Sequence, residues 1–421
     1  MRLLMFLPTF LLTLLFALPA PAAGPASLHL AHTIELRAQT LAGPVIAQGR
    51  LYIGAGDGNL YAFDLASRKL AWLYHAGAAI DSTPAVAAGI VYFLARDGHL
   101  HAVDAGTGVR RWEFATAGEA RFAAFGLYGN AKGAVPTTDP WDFWLSSPVV
   151  HDGKVYVGSS DERLYALDAA TGAVAWVFKS GGMIHSRPAV AGNTLVFGSW
   201  DGAVYALDAV SGKQLWRYQT DTEQKTSTHL GVQAGPLIDD DTAFIGSRDA
   251  HFYALDLATG RMKWRYDGRG SWIVSNAVAD GERVYFGTSD TNVLVALDKR
   301  TGQVKYEHDT KVWTYATPVL ADNAVIGASM RGELFALDAA SGKPLWSWRT
   351  AESRADAFGL LDGSTGKFDT KRLYEGAQTV MASIEHVKRL GAFVGTPVWH
   401  GGQLIATTAD GRLLFFTAEQ R

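Results

Sequence analysis

The stretch Leu164-Tyr165-Ala166-Leu167-Asp168-Ala169-Ala170-Thr171-Gly172-Ala173-Val174-Ala175-Trp176 occurs seven times, with drift, in this chain of 421 residues. Its Asp falls at 64, 104, 168, 208, 256, 298 and 338. Eight residues later stands an aromatic: Trp72, Trp112, Trp176, Trp216, Trp264, Tyr306 and Trp346. Twenty residues before most of these Asp comes a proline: Pro44, Pro84, Pro148, Pro188, Pro236 and Pro318. The sixth unit has Ala277 there, with Asp298 following at 21. An eighth unit runs from Pro397 to Phe416, with Thr417 in the Asp position. Fixed spacing inside the units and variable gaps between them mark a repeat architecture.

Each unit reads as four short strands. In the third, Pro148–His151 is the first strand, Asp152-Gly153 a tight turn and Lys154–Gly158 the second. Leu164–Leu167 is the third and Val174–Phe178 the fourth, joined by a turn in which Asp168 accepts backbone N–H bonds and Gly172 takes positive φ. Four strands in some forty residues is the period of a β-propeller blade. The Asp and the aromatics are therefore structural, each aromatic a wedge between neighbouring blades.

The eighth unit lacks a fourth strand. At an offset of 40 from the first unit, Leu30-Ala31-His32-Thr33-Ile34 aligns with Leu70-Ala71-Trp72-Leu73-Tyr74, so the N-terminal segment is predicted to supply the missing strand. The expectation is an all-β, eight-bladed propeller of four-stranded antiparallel blades, closed without a free edge. Residues 23–421 form the single domain.

Residues 1–22 read as a signal peptide: Arg2 is basic, Leu3–Leu18 apolar, and Ala20-Pro21-Ala22 offers a cleavage site. The apolar run is shorter than the ~20 residues that a spanning helix requires. The expected location is an exported compartment, the periplasm in a Gram-negative source, with a mature chain that is a monomer without a transmembrane segment. There are 0 Cys, which excludes disulfides and a lipid-bearing Cys. A net charge of −3 with interspersed signs gives no basic stripe for nucleic acid. No His, Cys or carboxylate spacing marks a metal site, and no nucleophile elbow or phosphate loop is present, so catalytic residues are not identified.

Function is expected in the variable gaps. The distance from wedge aromatic to proline is 12 in three units but 36 after Trp112, 20 after Trp216 and 51 after Trp346. These insertions, at about 113–143, 217–232 and 347–392, all join a fourth strand to the next first strand and so decorate one rim. The motif Arg-x-x-Ala-Phe-Gly-Leu occurs in two of them, at 121–127 and 354–360, and its Phe and Leu are expected to pack on the rim. In the last insertion a helix is expected from the cap Asp369 to Gly391, with Leu373, Ala377, Val380, Met381, Ile384 and Val387 as one apolar stripe forming a partial lid.

Residues just ahead of the first strands should ring the axial channel: Asp81, Trp144, His185, Gln233, Trp272, Trp313 and Tyr315. Loops between second and third strands add Arg96, Trp200, Arg248 and Met330. Four Trp and two Arg in one funnel suit a flat or anionic ligand, or an aromatic side chain of a protein partner. Structural plugging of the channel is the alternative. Rim carboxylates (Glu119, Asp139, Asp142, Glu223, Asp267) and Asn276 show no spacing that selects a Ca²⁺ set.

The repeated Ala-Leu-Asp-x-x-Thr/Ser-Gly-x-x-x-Trp, as at Ala166–Trp176 and Ala206–Trp216, resembles the tryptophan-docking repeat of the quinoprotein-type, PQQ-like propellers. The likeness spans the mature chain. One branch implies pyrroloquinoline quinone (PQQ) in the funnel on a Trp, with Ca²⁺ and an Asp base; here the stacking residue would be Trp200, Trp272 or Trp313, with Arg248 in contact. The other branch, similar to the BamB-type outer-membrane assembly factors, implies a docking surface without cofactor. The runs Trp141–Pro148 and His229–Gln233 resemble an exported subgroup of the second kind. Without Cys, the disulfide that covers PQQ in the first branch has no counterpart. The expectation is thus a non-catalytic binding scaffold for an envelope protein or small ligand, with no cofactor. A PQQ-dependent oxidoreductase of alcohols or sugars is the alternative, and sugar-polymer binding on the same aromatics a third reading.

Overall fold

The structure, a computed structural model, describes residues 27–36, 38–127, 135–221, 230–374 and 380–418. The segment read as a signal peptide lies outside them. Eight four-stranded antiparallel sheets are arranged as the repeat predicts. In the third blade the strands are Val149–His151, Lys154–Gly158, Arg163–Asp168 and Val174–Lys179, in that spatial order. Its second and third strands are buried along nearly their whole length, while the first and fourth alternate or are half-buried. That profile follows from blades packing face to face on both sides of their central strands. Each core cluster of the ring draws residues from adjacent blades, as Tyr156, Leu164 and Ile184 do with Leu195 and Phe197.

The turn after the third strand explains the repeat. Asp168 Oδ1 accepts from Thr171 N at 2.8 Å and from Thr171 Oγ1 at 2.7 Å, and Gly172 N donates to Asp168 O at 2.8 Å. The wedge aromatic then bonds across to the next blade: Trp176 Nε1 donates to Ala209 O at 3.1 Å. The same bond runs from Trp72, Trp112, Trp216 and Trp264, and Tyr306 substitutes its hydroxyl. Beneath each ring lies the turn glycine of the next blade. A Cβ on Gly212 (φ +72°) would stand 2.6 Å from Trp176 Cδ2. Asp, Gly and the aromatic are one device, fastening each of the first six blades to its successor, while Trp346 of the seventh packs edge-on against Phe416.

The ring closes as expected. Leu28–Glu35 pairs antiparallel with Arg412–Ala418, and His32 lies opposite Phe415, where other blades have the wedge Trp. At this seam the docking device is absent. Arg68, with φ +58°, occupies the turn-glycine position of the first blade, and its guanidinium lies 5.2 Å over Phe415.

The last insertion holds three described helices: α1 (Ala351–Ala355), α2 (Thr370–Tyr374) and α3 (Val380–Arg389). The expected helix from Asp369 corresponds to α2 and α3; residues 375–379 between them lie outside the described set. Asp369 caps as predicted, accepting from Arg372 N at 3.1 Å. Of the stripe, Leu373, Ile384 and Val387 are buried; Ala377, Val380 and Met381 lie among side chains outside the description. α1 was not foreseen. A further Asp-x-x-Thr-Gly turn, Asp362 to Gly366, lies inside the same insertion, with Asp362 Oδ1 accepting from Thr365 N at 2.8 Å. No described helix is long and apolar enough to cross a membrane.

The duplicated rim motif corrects one expectation. Leu127 and Leu360 are buried, but Phe125 is 55% and Phe358 41% exposed. The glycine after each Phe has positive φ, +78° at Gly126 and +61° at Gly359, and the chain turns there, burying Leu and presenting Phe.

Candidate functional site

The ten residues proposed for the funnel come together, around a segment of the chain itself. Residues 135–145 of the first long insertion run into the funnel mouth. Asp139, Trp141, Asp142, Phe143 and Trp144 are the contacts, and all but Trp144 are buried.

Arg248 sits where the sequence placed it and is buried. Its Nη1 pairs with Asp139 Oδ2, and its guanidinium lies 3.7 Å over Trp272 and 4.8 Å over Trp200. Phe122 stacks on Trp200 with centroids 4.2 Å apart and planes within 2°. Trp313 meets Trp141 edge-on at 4.7 Å and Phe368 of the last insertion at 4.7 Å. Tyr315 touches Trp141, Phe143 and Trp144. Arg96 pairs with Asp81 and donates through Nη2 to Phe143 O at 2.7 Å. Trp144 Nε1 donates to Leu41 O at 3.2 Å. One apolar cluster therefore joins funnel (Trp272, Trp313, Tyr315, Met330), plug (Trp141, Phe143) and lid (Leu360, Leu373, Ile384, Val387).

At the polar side of the plug, His185 Nδ1 lies 2.8 Å from Asp142 Oδ1 and its Nε2 lies 2.8 Å from Ser160 Oγ. Gln233 Nε2 donates to the same Asp142 oxygen at 3.2 Å, and Phe122 N to the other at 2.6 Å. The Ser–His–Asp connectivity matches that of hydrolytic triads, but its proton flow does not. Burial works against the imidazolium, yet Asp142 outweighs it and raises the His185 pKa above its ordinary value. Ser160 Oγ donates its hydrogen bond to Glu119 Oε2 at 2.6 Å, so the hydroxyl hydrogen is directed at that carboxylate and not at the imidazole. A serine that donates to Glu119 is not poised to give its proton to His185, which the triad role requires. The effect of His185 is to hold the plug.

Sequence reading missed the plug. Asp139 and Asp142 were noted as rim carboxylates without a role; what identifies them is that two carboxylates alternate with Trp141, Phe143 and Trp144, an apolar run with anions to match two buried cations. Asn276 Oδ1 accepts from Gly235 N, and Asp267 Oδ1 from Arg269 N, both at turns. Glu223 lies outside the described residues.

A family model described as outer membrane protein assembly factor BamB matches residues 27–125, 128–271 and 253–421. The chain belongs to the BamB family. Among solved structures, BamB from Moraxella catarrhalis is similar at 18% identity and TM-score 0.67, covering 93% of this chain and 99% of that one. Quinohemoprotein alcohol dehydrogenase from Comamonas testosteroni is similar at 16% identity and TM-score 0.64, covering 94% and 77%. A europium-containing methanol dehydrogenase matches at 16% and 0.64, covering 93% of each chain. These likenesses are of fold. No curated protein matches the sequence.

The quinoprotein neighbours make a fit test necessary. A quinone would need an open Trp face, and a metal would need converging ligands. Trp200 is stacked by Phe122, Trp272 carries Arg248, and Trp313 meets Trp141 and Phe368. Among the described residues no three of His, Asp and Glu come together as a metal set. The funnel as folded does not fit PQQ with Ca²⁺.

Proposed function

We propose that this BamB-family chain is an exported, periplasmic docking propeller whose partner face is the insertion rim, without catalysis. One observation carries the reading: the rim exposes large apolar side chains, with Phe125 at 55%, Val135 at 76% and Phe358 at 41%, while the funnel aromatics beside them are buried. Exposed aromatics on a rigid rim are the usual anchors of a protein interface. Phe358 is pre-set for this, stacked on His386 at 4.8 Å within 8°. The apolar Leu3–Leu18 stretch with its Ala20-Pro21-Ala22 site supports export.

Removing the whole of 351–392 would be a poor test, because Leu360, Leu373, Ile384 and Val387 belong to the plug cluster. The double substitution Phe125→Ser, Phe358→Ser changes the rim alone. Site-specific crosslinking from the rim, in the envelope of the source cell, should yield a defined adduct that the double variant loses at unchanged melting temperature. An undiminished adduct would place the partner elsewhere. Stoichiometric, Ca²⁺-dependent quenching of Trp fluorescence by PQQ would replace the proposal with the quinoprotein reading.

A further inference from the structure

Beneath the plug the axial channel widens into a cavity of about 990 Å³, within the range of small-molecule sites. The residue two positions before each first strand, just ahead of the repeated proline or Ala277, lines it. These positions bring the hydroxyls of Thr83, Ser147, Thr317 and Thr396, the amide of Asn276 and the guanidinium of Arg187 to one ring. The rest of the wall is largely apolar, including Val150, Val190, Ile238, Leu320 and Trp399. No Asp or Glu lines it, and the other titratable group, His185, is already engaged with Asp142 and Ser160.

Arg187 therefore stands apart from every other cation of the interior. Arg96 and Arg248 each have a carboxylate. Arg187 forms no hydrogen bond or ion pair with any described residue. Its side chain is exposed, and the space to which it is exposed is the channel. Protein crowded around that space lowers its pKa from the ordinary value by burial alone, with no charge nearby to offset the effect. The next ring position is Gly235, where a Cβ would meet Arg187 Cβ at 3.2 Å and Arg187 O at 3.0 Å, so a larger residue there would press on the base of the Arg187 side chain. A cation on the wall of an open-ended, largely apolar channel has lost part of its water and has no carboxylate beside it, and an anion in the channel supplies the missing partner.

We infer that the axial channel binds a small organic anion, its carboxylate on the Arg187 fork and its apolar body against the walls. A planar guanidinium receives a carboxylate through two parallel N–H bonds. The plug-side end is bounded by Trp144, Leu145 and Tyr315, so access is from the face opposite the insertions. The site is independent of the docking rim.

The test is titration calorimetry and thermal shift of the full chain with octanoate, inorganic phosphate and octylammonium. Octanoate should bind and raise the melting temperature, and Arg187→Met should weaken it about ten- to a hundred-fold. The unliganded variant should melt no lower than the parent, since it loses an unpaired cation. If Arg187→Met does not fold, Arg187→Lys, which keeps the charge but not the fork, should show an intermediate loss. Equal binding by the variant, equal binding of octylammonium, or no response to millimolar octanoate would overturn the inference. Phosphate binding as tight as octanoate would overturn the apolar half of it.

Discussion

Arg248 and Arg187 occupy neighbouring levels of the same axis in opposite circumstances. Arg248 is committed: it is ion-paired to Asp139 and covered by two indoles. Arg248→Met would strand the Asp139 carboxylate in the interior, at a cost of about 3–5 kcal/mol. Adding Asp139→Asn should return a good part of that loss, and urea unfolding of the two variants measures both. The turn glycines allow a similar contrast. Gly49 and Gly212 both have φ near +73°, but a Cβ on Gly49 meets nothing within 4 Å. Gly49→Ala should cost only the left-handed strain, about 1–2 kcal/mol. Gly212→Ala must also displace Trp176 and should cost clearly more in the same assay.

Among the elements, the plug is the one whose hold depends on pH. His185 has a raised pKa in the folded state because of Asp142. Its contribution is fully present below the unfolded value of about 6.5 and is lost as pH rises through the folded value. Stability measured at rising pH from about 6.5 upward should fall as the imidazole loses its proton, and the slope should flatten in Asp142→Asn. This element was not legible in the sequence. Strands announce themselves by alternation and turn residues, and a buried irregular segment has neither. The funnel residues could be named because the repeat fixed their places. What fills the funnel depended on where Asp139 to Trp144 fold back, a non-local matter that no period encodes. The exposed Phe125 and Phe358 were misjudged for a related reason: composition says that Phe is buried, and only the positive φ of Gly126 and Gly359 reveals otherwise.

At the scale of the whole molecule, by contrast, nearly everything followed from the repeat. Seven copies of one turn specify six blade junctions, from Trp72 over Gly108 to Tyr306 over Gly342, because Asp, Gly and the aromatic act between adjacent blades and carry their meaning locally. The eighth junction was legible by subtraction, as a missing strand and an N-terminal segment aligned to replace it. The seam between Leu28–Glu35 and Arg412–Ala418 also imposes an order in time. A ribosome makes the outer strand before the blades between and its partner after them, and at ~5–20 residues per second the two are separated by some tens of seconds. Through that interval seven blades can assemble in sequence, while the first segment waits as an unpaired strand and the nascent ring lies open. A chaperone that shields an extended segment would have its longest task here, and aggregation through that waiting edge is the hazard that pairing with Arg412–Ala418 ends.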